Sequence, residues 1–132
     1  MKMILVVDSD VGFVFWLGQG LDQNRYAVVP AASVPNARTL LDELGITVDL
    51  VIVNPTLPDA AKLVETLRGR NPRLKVVLVA DDATAEPAQI PSFDLQCQKP
   101  EVIDDSARQD LIAKIRKVLP PFAVINGEPP PG

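Results

Sequence analysis

The chain has 132 residues, 47% of them hydrophobic and 23% charged, with a formal net charge of −4. That is the size and make-up of one globular domain with a real core, and the negative balance without a basic run argues against nucleic acid or an anionic membrane as partner. Histidine is absent and Cys97 is the single cysteine, which excludes a disulfide framework, a His/Cys zinc site and any histidine-based triad.

Met3 to Val7 is a continuous apolar run that ends at Asp8, the pattern of a central strand covered on both faces. Val11 to Gln23 carries Phe13, Phe15, Trp16, Leu17 and Leu21 at broadly helical spacing, with Ser9 or Asp10 placed to cap it. The three rings span more than one helical face, so part of the cluster is core and one ring is available for an exposed contact surface. Tyr26 to Ala31 reads as a second strand. Ser33 opens a helix with Ala37, Leu40, Leu41 and Leu44 on one side, and Gly45 closes it. Leu50 to Val53 is the third strand, followed by a loop holding Pro55 and Pro58 and by a helix over Ala60 to Arg70. Leu74 to Ala80 is a fourth buried strand. Pro87 and Pro91 allow at most a short, degenerate fourth helix between Asp81 and Ser92. Phe93 to Gln98 reads as the fifth strand, with Cys97 as a small buried apolar group in it. Asp104 to Leu119 is the last helix. Alternating strands and helices of this kind predict an α/β, flavodoxin-like (βα)5 fold: a doubly wound, five-stranded parallel sheet in the order 2-1-3-4-5.

The domain is expected to occupy residues 1–119, with 120–132 a proline- and glycine-rich tail or truncated linker. No stretch approaches the roughly 20 apolar residues of a membrane span. The opening Met-Lys-Met-Ile-Leu-Val-Val-Asp reaches a charge too early for a signal peptide. With the lone cysteine, these features make the cytoplasm the expected location.

Four pieces of the chain carry a resemblance: Ile4-Leu-Val-Val-Asp8 at the first strand end, Asp49-Leu-Val-Ile-Val ahead of Asn54, Leu57-Pro58 after it, and Lys99-Pro100 after the fifth strand. In that order and at nearly those separations they resemble the response-regulator receiver domain of two-component signalling, over about residues 3 to 119. The resemblance maps the family's paired Mg²⁺-binding acids to Asp8 and Ser9, and its phosphoacceptor aspartate to Asn54. It maps the Ser/Thr that follows the phosphoryl group to Ala80, the phosphate-pairing lysine to Lys99, and the aromatic switch to Gln96. Only Asp8 and Lys99 match the family pattern. The loop after Asn54 is also about two residues shorter than in the family, and about five extra residues, Glu101 to Asp105, precede the last helix.

Phosphorylating a receiver needs an anionic oxygen in line with the donor phosphorus and Mg²⁺ to neutralise developing charge. An asparagine amide is neutral and a feeble nucleophile. The family pocket sets three carboxylates against one lysine, whereas the mapped positions here set Asp8 alone against Lys99. The expected result is a metal-free network in which Lys99 bonds Asp8, the Asn54 oxygen, or both, in a degenerate receiver that signals by contact with another protein or by self-association. No cofactor, no metal and no enzymatic activity are expected, because the chain lacks a phosphate-cradling glycine motif and a nucleophile–base pair. Rival readings are phosphorylation on Asp8, Asp10 or Asp59, a cation site built from Asp8 with Asp81 and Asp82, and a small-ligand sensor using the neutral pocket. Against the first two stand plainer roles: Asp10 as a helix cap and Asp81 and Asp82 as solvated loop carboxylates.

Overall fold

The computed structural model describes residues 1–81 and 90–121. Its elements are β1 (Met3–Val7), α1 (Val11–Gln23), β2 (Ala27–Ala31), α2 (Val34–Leu44), β3 (Leu50–Val53), α3 (Ala60–Arg70), β4 (Lys75–Ala80), β5 (Leu95–Gln98) and α4 (Asp105–Val118). The strands form one parallel sheet in the order β2-β1-β3-β4-β5, as the sequence predicts. The degenerate fourth helix, expected between Asp81 and Ser92, and the tail, expected over 120–132, fall mostly on residues 82–89 and 122–132, outside the described residues.

Local chemistry sets the helix ends. Asp10 caps α1 by accepting from the Phe13 amide at 3.1 Å, and Ser33 does the same for α2 through the Asn36 amide at 3.1 Å. Gly45, at φ 60, ends α2 in the left-handed conformation that a glycine adopts without strain. On one face of the sheet α2 and α3 close a core around Leu5, Val51, Leu63 and Leu78. On the other, α1 and α4 cover Ile4, Ile52, Leu21 and Ile115. Here the helices approach closely: a Cβ built on Gly20 would lie 2.4 Å from Ile112 Cδ1. Tyr26, fully buried just ahead of β2, donates its hydroxyl to the Leu119 carbonyl and ties the end of α4 to that edge of the sheet.

Three strand starts, both ends of the last helix and one burial differ from expectation: Asp104 and Leu119 flank α4 as its caps. Tyr26 precedes β2. Leu74 precedes β4. β5 starts at Leu95 because Asp94 turns its side chain back to accept from the Val76 amide at 2.8 Å. As the sheet's edge, β5 alternates between half-buried and exposed residues, so Cys97 is only partly covered; burial still raises its thiol pKa against the smaller opposing pull of Lys114. No described helix is long and apolar enough to cross a membrane.

Candidate functional site

Parallel pairing brings the carboxyl ends of the strands to one edge. Val7 lies opposite Ala31 and Val53, Val53 opposite Leu78, and Ala80 opposite Gln98. The residues just past β1, β3, β4 and β5 are Asp8, Asn54, Asp81 and Lys99. All four are polar, and the fold gathers them beside the reversal of strand order between β1 and β3, where open α/β sheets form their crevice. Backbone bonds fix the rims: the Asn54 amide donates to the Val7 carbonyl and the Lys99 amide to the Ala80 carbonyl.

Asp8 and Asn54 are buried, at 3% exposure each. Asn54 spends its whole hydrogen-bonding capacity. Its Oδ1 accepts from the Thr56 amide at 3.0 Å and from Thr56 Oγ1 at 2.7 Å. Its Nδ2 donates to Asp8 Oδ2 at 3.4 Å and to Asp81 Oδ2 at 3.2 Å. Two donors facing carboxylates and one acceptor facing an amide N–H fix which way round the side chain sits.

Lys99 is the positive centre. Its Nζ lies 2.6 Å from Asp81 Oδ1, 2.9 Å from Asp8 Oδ2 and 3.7 Å from Asp10 Oδ2, with the Phe13 ring centroid 5.0 Å away. Burial works to lower its pKa, but the hydrogen bonds it donates to Asp81 and Asp8 and the field of both carboxylates outweigh that and raise it. Asp81 is held below the usual carboxylate range, first by its bond to Lys99 and then by the Asn54 amide. Among the described residues no group of three or more His, Cys, Asp or Glu is arranged to hold a metal ion.

The site decides one open expectation and corrects two. Of the expected alternatives Lys99 takes Asp8 and not the Asn54 oxygen, which Thr56 occupies, and it also bonds Asp81. Asp81 is no freely solvated loop carboxylate, although 61% of its side chain remains exposed. Asp8 does not face Lys99 alone: with Asp10 and Asp81, three carboxylates surround one ammonium, leaving the same formal excess of two negative charges as in the family pocket. The charge expected from the family's own positions left out Asp10 and Asp81, the latter weighed only as a ligand of the rival cation site. Asp82 lies outside the described residues.

The other expected positions fall as follows. Asp10 caps α1 with Oδ1 while turning Oδ2 toward Lys99. Ser9 is exposed, Ala80 is buried with no side-chain hydroxyl to offer, and Gln96 is exposed on β5. Asp59 precedes α3 at φ 64 without capping it and pairs weakly with Lys62 at 4.0 Å. Phe13 is buried and stacks obliquely on the half-buried Trp16, their centroids 5.9 Å apart. Phe15 is the exposed ring, beside an apolar groove that also involves Val14, Val28 and Pro30.

Neither a protein-family model nor a curated protein sequence matches the chain. Solved structures do. A response-regulator receiver domain protein (CheY-like) from Methanospirillum hungatei JF-1 is similar at 24% identity and TM-score 0.71, over 89% of this chain and 92% of that one. The signal receiver domain of an HD domain-containing protein from Pseudomonas fluorescens Pf-5 is similar at 25% identity and TM-score 0.70, over 89% and 94%. The response regulator TrrA from Thermotoga maritima, solved in complex with Mg²⁺-BeF, is similar at 23% identity and TM-score 0.69, over 90% and 100%. The fold is that of a receiver domain. On this receiver fold the residue directly after β3 is an amide, and the residue directly after β4 is a carboxylate bonded into the crevice.

Proposed function

We propose that the chain is a receiver-fold regulatory module that acts by contact with another protein and is not switched by aspartyl phosphate. The observation that carries this reading is Asn54. It stands where the resemblance places the phosphoacceptor, it is neutral, and both its oxygen and its nitrogen are fully bonded. An attacking oxygen must be anionic and free to approach phosphorus in line. The Asn54 oxygen is neither.

The rival acceptors fare no better. Asp8 is buried, with one oxygen accepting from the Asp10 amide at 2.9 Å and the other bound to Lys99. Asp10 is a cap and Asp59 belongs to the α3 entrance. The excess of carboxylates disfavours an anionic small ligand in the same crevice. For the contact itself, the exposed Val11 and Phe15 on α1 supply an apolar patch of the kind that marks interaction surfaces.

Incubation of the full chain with acetyl phosphate and MgCl₂, followed by intact-mass measurement, tests the proposal. The expected spectrum is unchanged. A stable gain of one phosphoryl group on an aspartate would overturn it.

A further inference from the structure

Between α1 and the edge strand β2 runs an apolar groove of about 290 Å³, walled by Val14, Phe15, Gly18, Val28 and Pro30, with Asp22 at the end nearest the carboxyl terminus of α1. Gly18 deepens it. A Cβ there would lie 3.7 Å from Val28 Cγ1, an ordinary contact, so the missing side chain leaves room instead of relieving a clash. A second hollow of about 180 Å³ shares Val14, Phe15 and Pro30 and carries the groove on to Val11. Phe15 and Val11 remain 67% and 56% exposed, so the groove and its rim leave a continuous apolar surface in water.

We infer that this groove is the docking site of the chain's own carboxyl-terminal segment, with Phe122, Val124 and Ile125 as its apolar anchors. The exit of the chain points to this occupant. The Leu119 carbonyl accepts from the Tyr26 hydroxyl just ahead of β2. Arg116 donates at 3.2 Å to Asn24, which closes α1, and Pro121 is buried. The chain therefore leaves α4 at the foot of the groove. From there Phe122-Ala-Val-Ile-Asn-Gly127 leads on without a charge. The groove follows α1 from Asp22 to Phe15, about 10 Å at 1.5 Å per residue, and four extended residues span roughly 13 Å.

The edge strand disfavours a second copy in that place. The Ala27 amide and the Ala31 carbonyl face β1, so alternation turns the main chain of Val28 and Pro30 to the open edge. There Pro30 has no N–H to give an added strand. Whatever docks is held chiefly by side-chain burial, and a tethered segment is favoured by its high local concentration. The docking goes beyond the functional reading above and does not depend on it. One consequence does rest on that reading: Phe15 belongs both to the groove and to the contact patch proposed for a partner, so a partner using that ring would have to displace the segment.

Methyl NOE spectra of the isotopically labelled full chain test this. The Val124 and Ile125 methyls are expected to show contacts to the Phe15 ring and the Val28 methyls. Val124→Asp combined with Ile125→Asp should abolish those contacts and move the Gly18 and Val28 amide signals, while Leu63 and Leu78, in the core on the other face of the sheet, keep theirs. Absence of the contacts, or a variant whose Gly18 and Val28 signals match the wild type, would overturn the inference. So would contacts from the segment to another part of the domain, or contacts found only between labelled and unlabelled copies in a mixed sample. Phosphate uptake from acetyl phosphate would defeat the functional proposal and leave these contacts in place, so the two fail separately.

Discussion

The Lys99 ammonium lies closer to Asp81, at 2.6 Å, than to Asp8, at 2.9 Å. The shorter pair is also the more exposed one, which separates two tasks. Asp8 balances charge in the buried crevice, while Asp81 fixes the end of β4 against the end of β5.

That pairing predicts a pH signature. Asp81 has a folded pKa below its unfolded value, so its stabilisation is present above the unfolded value and is lost as pH falls through the folded one. Lys99 has a folded pKa above its unfolded value, so its stabilisation is full below the unfolded value and is lost as pH rises through the folded one. Chemical denaturation across pH should therefore show Asp81→Asn flattening the acid limb, below the ordinary carboxylate range, by a modest amount because Asp81 is largely exposed. Lys99→Met should flatten both limbs, because the Lys99 ammonium is also the first cause of the Asp81 shift. An acid limb that neither variant changes would contradict the network.

Asn54→Asp should not simply restore a receiver. It replaces an amide that donates to Asp8 and Asp81 with a carboxylate that repels both. Loss of about 3 kcal/mol in the absence of divalent ions is expected from unfolding in urea, the scale of an uncompensated buried charge. Ser9→Asp added to it should give Mg²⁺ binding stronger than either change alone, because neighbouring charges couple. A stable, metal-indifferent Asn54→Asp protein would mean that the amide is not what the crevice is built around.

Much of the fold was legible because its signals are local. Asp10, Ser33 and Gly45 are caps that do their work within a few residues, and β1, β3 and β4 are near-continuous apolar runs. β5 was less legible because, as an edge strand, it is only half covered, and its start depends on Asp94 reaching across to Val76. Within the site, Asp8, Asn54 and Lys99 stood out as polar residues closing apolar strands. Asp81 carried the same signal, a carboxylate directly after Ala80, yet its partner is Lys99, just past the next strand, a contact made by topology. The pocket's charge differs from expectation because both Asp81 and Asp10 reach Lys99.

The packing of α1 on α4 makes a prediction independent of the site. Gly20→Ala places a methyl 2.4 Å from Ile112 Cδ1 and 2.7 Å from Arg108 Cδ, closer than real side chains approach. Overpacking should cost about 1–3 kcal/mol in urea unfolding. Helix propensity alone would favour alanine, so a stabilised variant would show that the Ile112 and Arg108 side chains swing aside.

Tyr26→Phe removes the hydroxyl that holds the Leu119 carbonyl. It should lower stability by about 1 kcal/mol and speed amide exchange in the last turn of α4 while leaving the first turn unchanged. Burial raises the Tyr26 pKa, only partly offset by Arg116, so the phenol stays a donor through neutral pH. Uniform loosening of α4 would assign Tyr26 to general packing rather than to this bond.

Beryllofluoride with Mg²⁺, added to the isotopically labelled full chain and followed by amide NMR, addresses the acceptor chemistry most directly, since it mimics a phosphoryl group only where a receptive carboxylate and a metal meet. The amides of Asp8, Asn54, Asp81 and Lys99 should hold their positions throughout the titration. Saturable shifts at those residues, spreading along β5 and α4, would contradict a module that is not switched by aspartyl phosphate.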